Sequence, residues 1–287
     1  MNVNIFTPEA DYNTALIQLI NVLGQQFAPE QIYCFAKLTQ QEELQSVFSA
    51  HVLEEQCIYY LLMITENAVV TSKKVQQFID ELGAELKVVI VVHEQEMLLK
   101  KYNQPNGFFM RVLSQGELCY GAPGFKYVQQ PKFLNTKKQL GSAIVYWHKR
   151  MEMANGFLIA AAQAMDNCQQ EICLFLLHHV IEQTCLGLIY VFMDYKAESY
   201  SLKHLLYLCA CFAKSTLQHF FGCTENEQLL KIIIENYCQT GFQADQDIEI
   251  KSVFQFVDLT ESFLDLAKSL CEAHFKVLQI TVDEQKI

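Results

Sequence analysis

The chain has 287 residues, 51% of them hydrophobic, and a formal net charge of −11, so it is long and apolar enough for one large or two ordinary domains whose cores need no staples. Eleven cysteines, an odd count with no CxxC pair, suit small buried hydrophobes in a reducing compartment better than disulfides, and the isolated Cys209/Cys211 pair does not suggest zinc. The start, MNVNIFTPEA, lacks the basic opening and apolar run of a secretory signal, and the longest apolar stretches are interrupted by His178, His179 and Asp194; a soluble, cytoplasmic protein without a membrane partner is expected.

In chain order, Ala10 to Gln26 carries Ala15, Leu16, Leu19, Ile20 and Leu23 at helical spacing, and a short strand follows at Ile32 to Phe35. Gln40 to Gln56 again reads as a helix. Cys57 to Thr65, CIYYLLMIT, is too apolar and aromatic for an exposed strand, Ser72 to Leu82 is a helix, and the β-branched run Lys87 to His93 is a buried strand. Glu94 to Tyr102 reads as helix, Gly107 to Leu113 as extended chain, and Glu117 to Tyr120 as a strand after the turn at Gln115-Gly116. This order predicts a small α/β sheet domain over residues 1–121.

Residues 122–141 hold Pro123, Gly124, Pro131 and four lysines, the composition of a linker. Beyond it, apolar residues recur every three and four positions over Ser142–Met165, Gln169–Met193, Ser201–Phe221, Glu225–Cys238 and Ser252–Gln279, which predicts a helical bundle over 142–287. Ser201 is placed to cap a helix, Thr224 to Glu227 has the pattern of a capping box, and Gly222 stands where a helix end favours positive φ. The fold class is therefore α+β.

Charge divides unevenly. Residues 1–150 hold 14 acidic and 13 basic side chains, whereas residues 151–287 hold 18 acidic and 8 basic ones, with no arginine. A nucleic-acid partner is not expected, because the basic patch that displaces counterions from phosphates is missing.

The segments LLHHVIEQ, DYKAESYSLKHLL and NYCQTGF, in this order and spacing, resemble the HEPN family of four- or five-helix domains. Lys87–His93 and NGFFMRVLSQGELCYG, Asn106 to Gly121, resemble a nucleotidyltransferase-like domain, with a double-Phe strand, a turn Gly and a Leu-Tyr strand. Together the halves look like a bacterial two-domain protein of that combined type. What the resemblance implies is a nucleotide or small-anion ligand, a homodimer, a partner protein, and a place in stress or defence.

The departures from both patterns bear on catalysis. Where nucleotidyltransferases carry Gly-Ser to hold phosphate, this chain has Ala36 and Lys37; where they carry two aspartates for metal, it has Ile58 and Tyr60. Phosphoryl transfer of that type needs carboxylate-held Mg²⁺. HEPN ribonucleases use an Arg followed after four to six residues by His, and Gly241 stands at the Arg position, with Gln246, Asp247 and Ile248 where His would fall. No catalytic residue, cofactor or metal is expected. The expected function is a non-catalytic nucleotide- or partner-binding protein, with an enzyme of relocated active site, ribonuclease or nucleotidyltransferase, as the alternative.

The site residues singled out are His178 and Glu182, one turn apart on one helical face, with His179 and His204 nearby. A nucleotide- or anion-responsive pocket is the sharper reading, and a buried hydrogen-bonded pair ordering the packing or a dimer seam is favoured over it. A metal site of His178, Glu182 and a third ligand is the lesser reading, since two ligands on one helix are a weak signal. Lys37, Lys73 and Lys74 are phosphate candidates on the first domain but read more simply as solvated lysines. Cys57, Cys119 and Cys238 have no His-bearing motif beside them. Because Ile172 to Met193 is apolar nearly all round and a bundle of this size is expected to cover one side, a homodimer with His178 and Glu182 near its axis, which the resemblance also implies, is expected over a monomer whose N-terminal domain covers that surface.

Overall fold

The computed structural model describes residues 10–44, 52–66, 69–83, 86–95, 107–124, 136–197, 200–238 and 250–284. The chain divides into two compact units, 1–132 and 133–287, the first built on a mixed sheet and the second on helices. The fold is α+β.

The first unit runs α1 (Ala10–Phe27), β1 (Gln31–Leu44), β2 (Val52–Thr65), α2 (Ser72–Glu81), β3 (Lys87–Glu94), α3 (Gly107–Gln115) and β4 (Glu117–Gly121). The sheet order is β3-β2-β1-β4; β1 is antiparallel to both its neighbours, and β2 and β3 are parallel. A parallel pair needs a crossover, which α2 provides. Cys57, Tyr59, Leu61 and Met63 of β2, with Val88, Ile90 and Val92 of β3, point into one core with Leu16, Leu19, Ile20 and Leu23 of α1 and Val75 and Ile79 of α2. The alternate residues Ile58, Tyr60, Leu62 and Ile64 are buried as well. On that side Phe35 meets Phe108 edge to face at 5.3 Å, and His93 meets Phe109 at 4.9 Å. Covered on both faces, β2 and β3 have no solvent side to make polar, which explains the unbroken apolar runs.

On the end strand β3, three backbone groups are bonded by side chains of α2. Gln76 Nε2 donates to the Val88 carbonyl at 2.9 Å, Gln76 Oε1 accepts from Ile90 N at 3.1 Å, and Ser72 Oγ accepts from Val92 N at 2.8 Å. Thr71 caps α2, its Oγ1 accepting from Lys74 N at 3.4 Å.

Two predicted elements are corrected here. Residues 40–44 and 52–56 are strand, not helix: they pair in register from Gln40↔Gln56 to Leu44↔Val52. Their Gln, Glu and Leu content favours helix locally, but the ladder continues from the buried part of β1 and β2 and overrides propensity. Gly107–Gln115 is helix rather than extended chain, because Phe108, Phe109 and Val112 then share one buried face. It stops at Gly116, where a Cβ would lie 2.5 Å from the Val112 carbonyl oxygen. The helix expected over 94–102 falls outside the described residues from 96 on.

The second unit runs α4 (Thr136–Asp166), α5 (Gln170–Met193), α6 (Leu202–Ala210), α7 (Lys214–Phe221), α8 (Thr224–Cys238) and α9 (Ile250–Glu284). Thr136 to Gly141, read as the end of the linker, are the first helical residues of α4. α5 is the centre of the bundle, packed by α4, α6, α8 and α9. By length and composition it reaches a membrane span, contrary to the sequence expectation, and 67% of its most apolar stretch is buried. Most of its apolar surface is thus covered by its own chain, with Ile172 left exposed.

Where α4 crosses α5, Gly187 lets the helices close: a Cβ there would stand 2.8 Å from Trp147 Cε3 and 3.4 Å from Arg150 Cβ. The predicted helix 201–221 is two, broken at Cys211-Phe212-Ala213 with Ala213 extended at φ −146°. Ser201 caps α6 as expected, accepting from His204 N at 3.3 Å. Glu227 N bonds the Cys223 carbonyl at 3.2 Å, so α8 begins one residue earlier than predicted, with Cys223 at the cap position and Thr224 in its first turn. Gly222 has φ −79°, not positive; glycine is needed because a Cβ would meet the Gln218 carbonyl oxygen at 2.3 Å.

Candidate functional site

The candidate residues of α5 sit where that helix meets α4 and α8. At 100° per residue, Glu182 lies between the two histidines, about 40° round the helix from His178 and about 60° from His179, so it is flanked by both imidazoles. His179 turns toward α4 and stacks on Phe157 at 5.2 Å, with Phe175 edge-on at 4.7 Å. His178 turns toward α8 and lies flat on Tyr237, with centroids 3.8 Å apart and planes 2° from parallel.

The hydrogen bonding differs from the expected pairing. Glu182 Oε2 bonds His179 Nδ1 at 2.9 Å, three residues away, while His178 is the buried imidazole. His178 is 4% exposed, and its Nδ1 has no hydrogen-bond partner among the described residues. Burial, aided by the neighbouring His179, lowers its pKa to about 4, so it is neutral at pH 7. One ligand-type atom from each of His178, His179 and Glu182 lies within 4.8 Å of the others. His179 and Glu182 remain 19% and 25% exposed, which leaves the cluster open to solvent on one side.

His204 belongs to a different neighbourhood. It stacks on Tyr200 at 4.5 Å and 4°, and Tyr200 shares a 2.9 Å hydrogen bond between hydroxyls with Tyr195. It too is buried, its Nε2 lacks a partner among the described residues, and desolvation lowers its pKa to about 4. The structure brings together His178, His179 and Glu182 and leaves His204 outside that cluster.

Arg150 on α4 completes the arrangement. Its Nη1 donates to Gln183 Oε1 and its Nη2 to the Tyr146 hydroxyl, each at 2.6 Å, and its guanidinium lies 4.9 Å from the Tyr146 ring centre. Gln183 is the residue after Glu182. Both partners are neutral, and no carboxylate pairs with Arg150 among the described residues. The sequence carries no local signal for this contact, which exists because α4 packs along α5. Tyr237 lay in the NYCQTGF segment, but its stacking on His178 has no local sequence signal.

On the first unit, the positions of the expected nucleotidyltransferase motifs are occupied differently. Ile58 and Tyr60 are buried on the face covered by α3, with Phe35 6.1 Å from Tyr60. Ala36 and Lys37 sit within β1, paired with Tyr60 and Tyr59, rather than in a turn after it. Lys37 Nζ lies 5.7 Å from the Tyr59 ring centre, and Lys74 Nζ donates to the Val69 carbonyl at 3.1 Å. Cys57 is buried, burial pushes the Cys119 thiol up to about 11, and the Cys238 side chain lies outside the described ones. A thiol so shifted holds almost no thiolate at neutral pH.

No family model matches the chain, and no curated protein matches it in sequence. Among solved structures, the chain is similar to the crystal structure of a nucleotidyltransferase-like protein from Exiguobacterium sibiricum 255-15, at 10% identity and a TM-score of 0.30, over 91% of this chain and 78% of that one.

Proposed function

We propose that the chain is a non-catalytic binding protein of the nucleotidyltransferase-like/HEPN type, whose helical unit takes a nucleotide or another small anion beside Arg150. The observation that carries this reading is a half-buried guanidinium held in place by two neutral acceptors. Gln183 and Tyr146 fix its geometry without neutralising its charge, so an anion is the partner that the site lacks. Farther along the same two helices, the rings of Phe157, His179 and Phe175 offer apolar surface of the kind that a base would cover. Cytoplasmic location and a role in stress or defence belong to the same reading, on the resemblance described above.

The non-catalytic part rests on the first unit. Metal-binding aspartates would have to stand at Ile58 and Tyr60, and those side chains instead fill the core under Phe35 and Phe108. Incubation with labelled ATP, GTP, CTP or UTP and Mg²⁺ should leave no adduct, whereas calorimetric titration with the same nucleotides should show binding that Arg150→Gln weakens at least tenfold and Arg150→Lys partly restores. A Mg²⁺-dependent adduct would contradict the first half of the proposal. Equal affinities in wild type and Arg150→Gln would contradict the second.

The same reading includes a homodimer. Its support lies on the outer face of the helical unit, where Val145, Met153 and Ile159 of α4 and Ile172 of α5 are exposed. Light scattering at micromolar concentration should give twice 33.1 kDa, and Val145→Glu with Ile159→Glu should halve it. A monomeric mass for the wild-type chain would remove the dimer.

A further inference from the structure

We propose that His178, His179 and Glu182 form a binding site for a divalent transition-metal ion of the zinc type. The proposal is independent of the anion site at Arg150. Three features of the helix carry it. The sequence H-H-x-x-E puts Glu182 between the two imidazoles, and one ligand-type atom from each residue falls within 4.8 Å of the others. His178 Nδ1 is buried without a hydrogen-bond partner among the described residues, a deficit that costs stability and that a metal bond would relieve. His179 and Glu182 keep an opening to solvent through which an ion can enter.

The donor chemistry selects the metal. Two imidazoles and one carboxylate suit Zn²⁺ and its neighbours in the transition series, whereas Mg²⁺ and Ca²⁺ prefer all-oxygen sets. Zinc bonds of about 2.0–2.1 Å in tetrahedral geometry bring ligand atoms to roughly 3.4 Å from one another, so the cluster must contract on binding. Glu182 and His179, now 2.9 Å apart, open by about half an ångström to reach that spacing, and the closing movement falls to His178 over the face of Tyr237. The present bond between His179 and Glu182 is then replaced by two bonds to the ion. Three protein ligands leave a fourth position for water or an anion. No thiol belongs to the group, although Cys173 lies on the same helix.

The test uses the full-length protein, stripped with a chelator and titrated with ZnCl₂ against a competing indicator. One zinc ion per chain should bind at micromolar concentration or tighter, and His179→Gln and Glu182→Gln should each weaken it at least tenfold. His178→Ala removes packing against Tyr237, so circular dichroism must first show that the variant is folded; the two Gln variants carry the test if it is not. X-ray absorption at the zinc edge separates this site from adventitious capture by the cysteines. A first shell of nitrogen and oxygen at about 2.0–2.1 Å is expected, whereas sulfur at about 2.3 Å would overturn the proposal. Failure of the wild type to bind, or unchanged affinity in both Gln variants, would overturn it equally.

Discussion

Acidifying the chelator-treated protein from pH 7 to pH 4 is expected to remove roughly 3 kcal/mol of stability for each of His178 and His204. Both imidazoles are buried and neutral in the folded protein, with pKa lowered from 6.5 to about 4, chiefly by desolvation. In the unfolded chain each titrates near 6.5. Above that pH neither state binds the proton and the stability is fully present. As pH falls below 6.5 the unfolded state takes up protons that the folded state refuses, so stability drops until the folded pKa is reached near 4. Over the roughly 2.5 units between, each histidine contributes about 1.36 kcal/mol per unit, with no discount for screening because both rings are almost fully buried. Urea unfolding at intervals of half a pH unit should show this contribution, and His204→Asn should lower the slope by about 1.36 kcal/mol per pH unit. An unchanged slope in that variant would show that His204 titrates alike in both states.

The second large effect is expected at the α4/α5 crossing. Gly187→Val places a branched side chain where a Cβ alone would already lie 2.8 Å from the ring of Trp147, a residue 6% exposed with little room to move. Overpacking of this kind costs about 3 kcal/mol, and valine recovers part of the helix propensity that glycine lacks, so a net loss of about 2 kcal/mol is expected. Gly156→Ala on α4 is the control. Gly156 is exposed, nothing stands within 4 Å of its added Cβ, and the change should stabilise the protein by about 0.5–1 kcal/mol. Denaturant midpoints that move in opposite directions for the two variants are the expected result. A Gly187→Val protein as stable as wild type would mean that the helices do not cross at this distance.

What could be read from the sequence was what local pattern decides. β3 and the apolar part of β2 declared themselves by β-branched and aromatic runs, α2 by its spacing, and α6 by the Ser201 cap. What could not be read depended on distant partners. Residues 40–44 and 52–56 look helical alone and become strand because each supplies the other's hydrogen bonds. Gly107–Gln115 looked extended because two adjacent phenylalanines suggest a strand, and only the sheet beneath gives them a common helical face. In the site, the sequence gives the spacing of His178, His179 and Glu182 but not which side of α5 faces α4 and which faces α8. That choice makes His179 the partner of Glu182 and leaves His178 on Tyr237. Arg150 carries no sequence signal for the same reason, since its nearness to Gln183 exists only once α4 folds back along α5.

Gln76 and Ser72 have a bearing on assembly as well as on packing. A sheet whose last strand shows free amides and carbonyls invites a foreign strand to dock, whether from a recruited peptide or from another copy on the way to a fibril. Here the carbonyl of Val88 and the amides of Ile90 and Val92 are already taken, by side chains that mimic a further strand without being able to propagate one. An incoming strand would have to break three hydrogen bonds and dislodge α2 before forming its own. Strand addition at this end of the sheet is therefore opposed by two side chains rather than by an added layer of backbone.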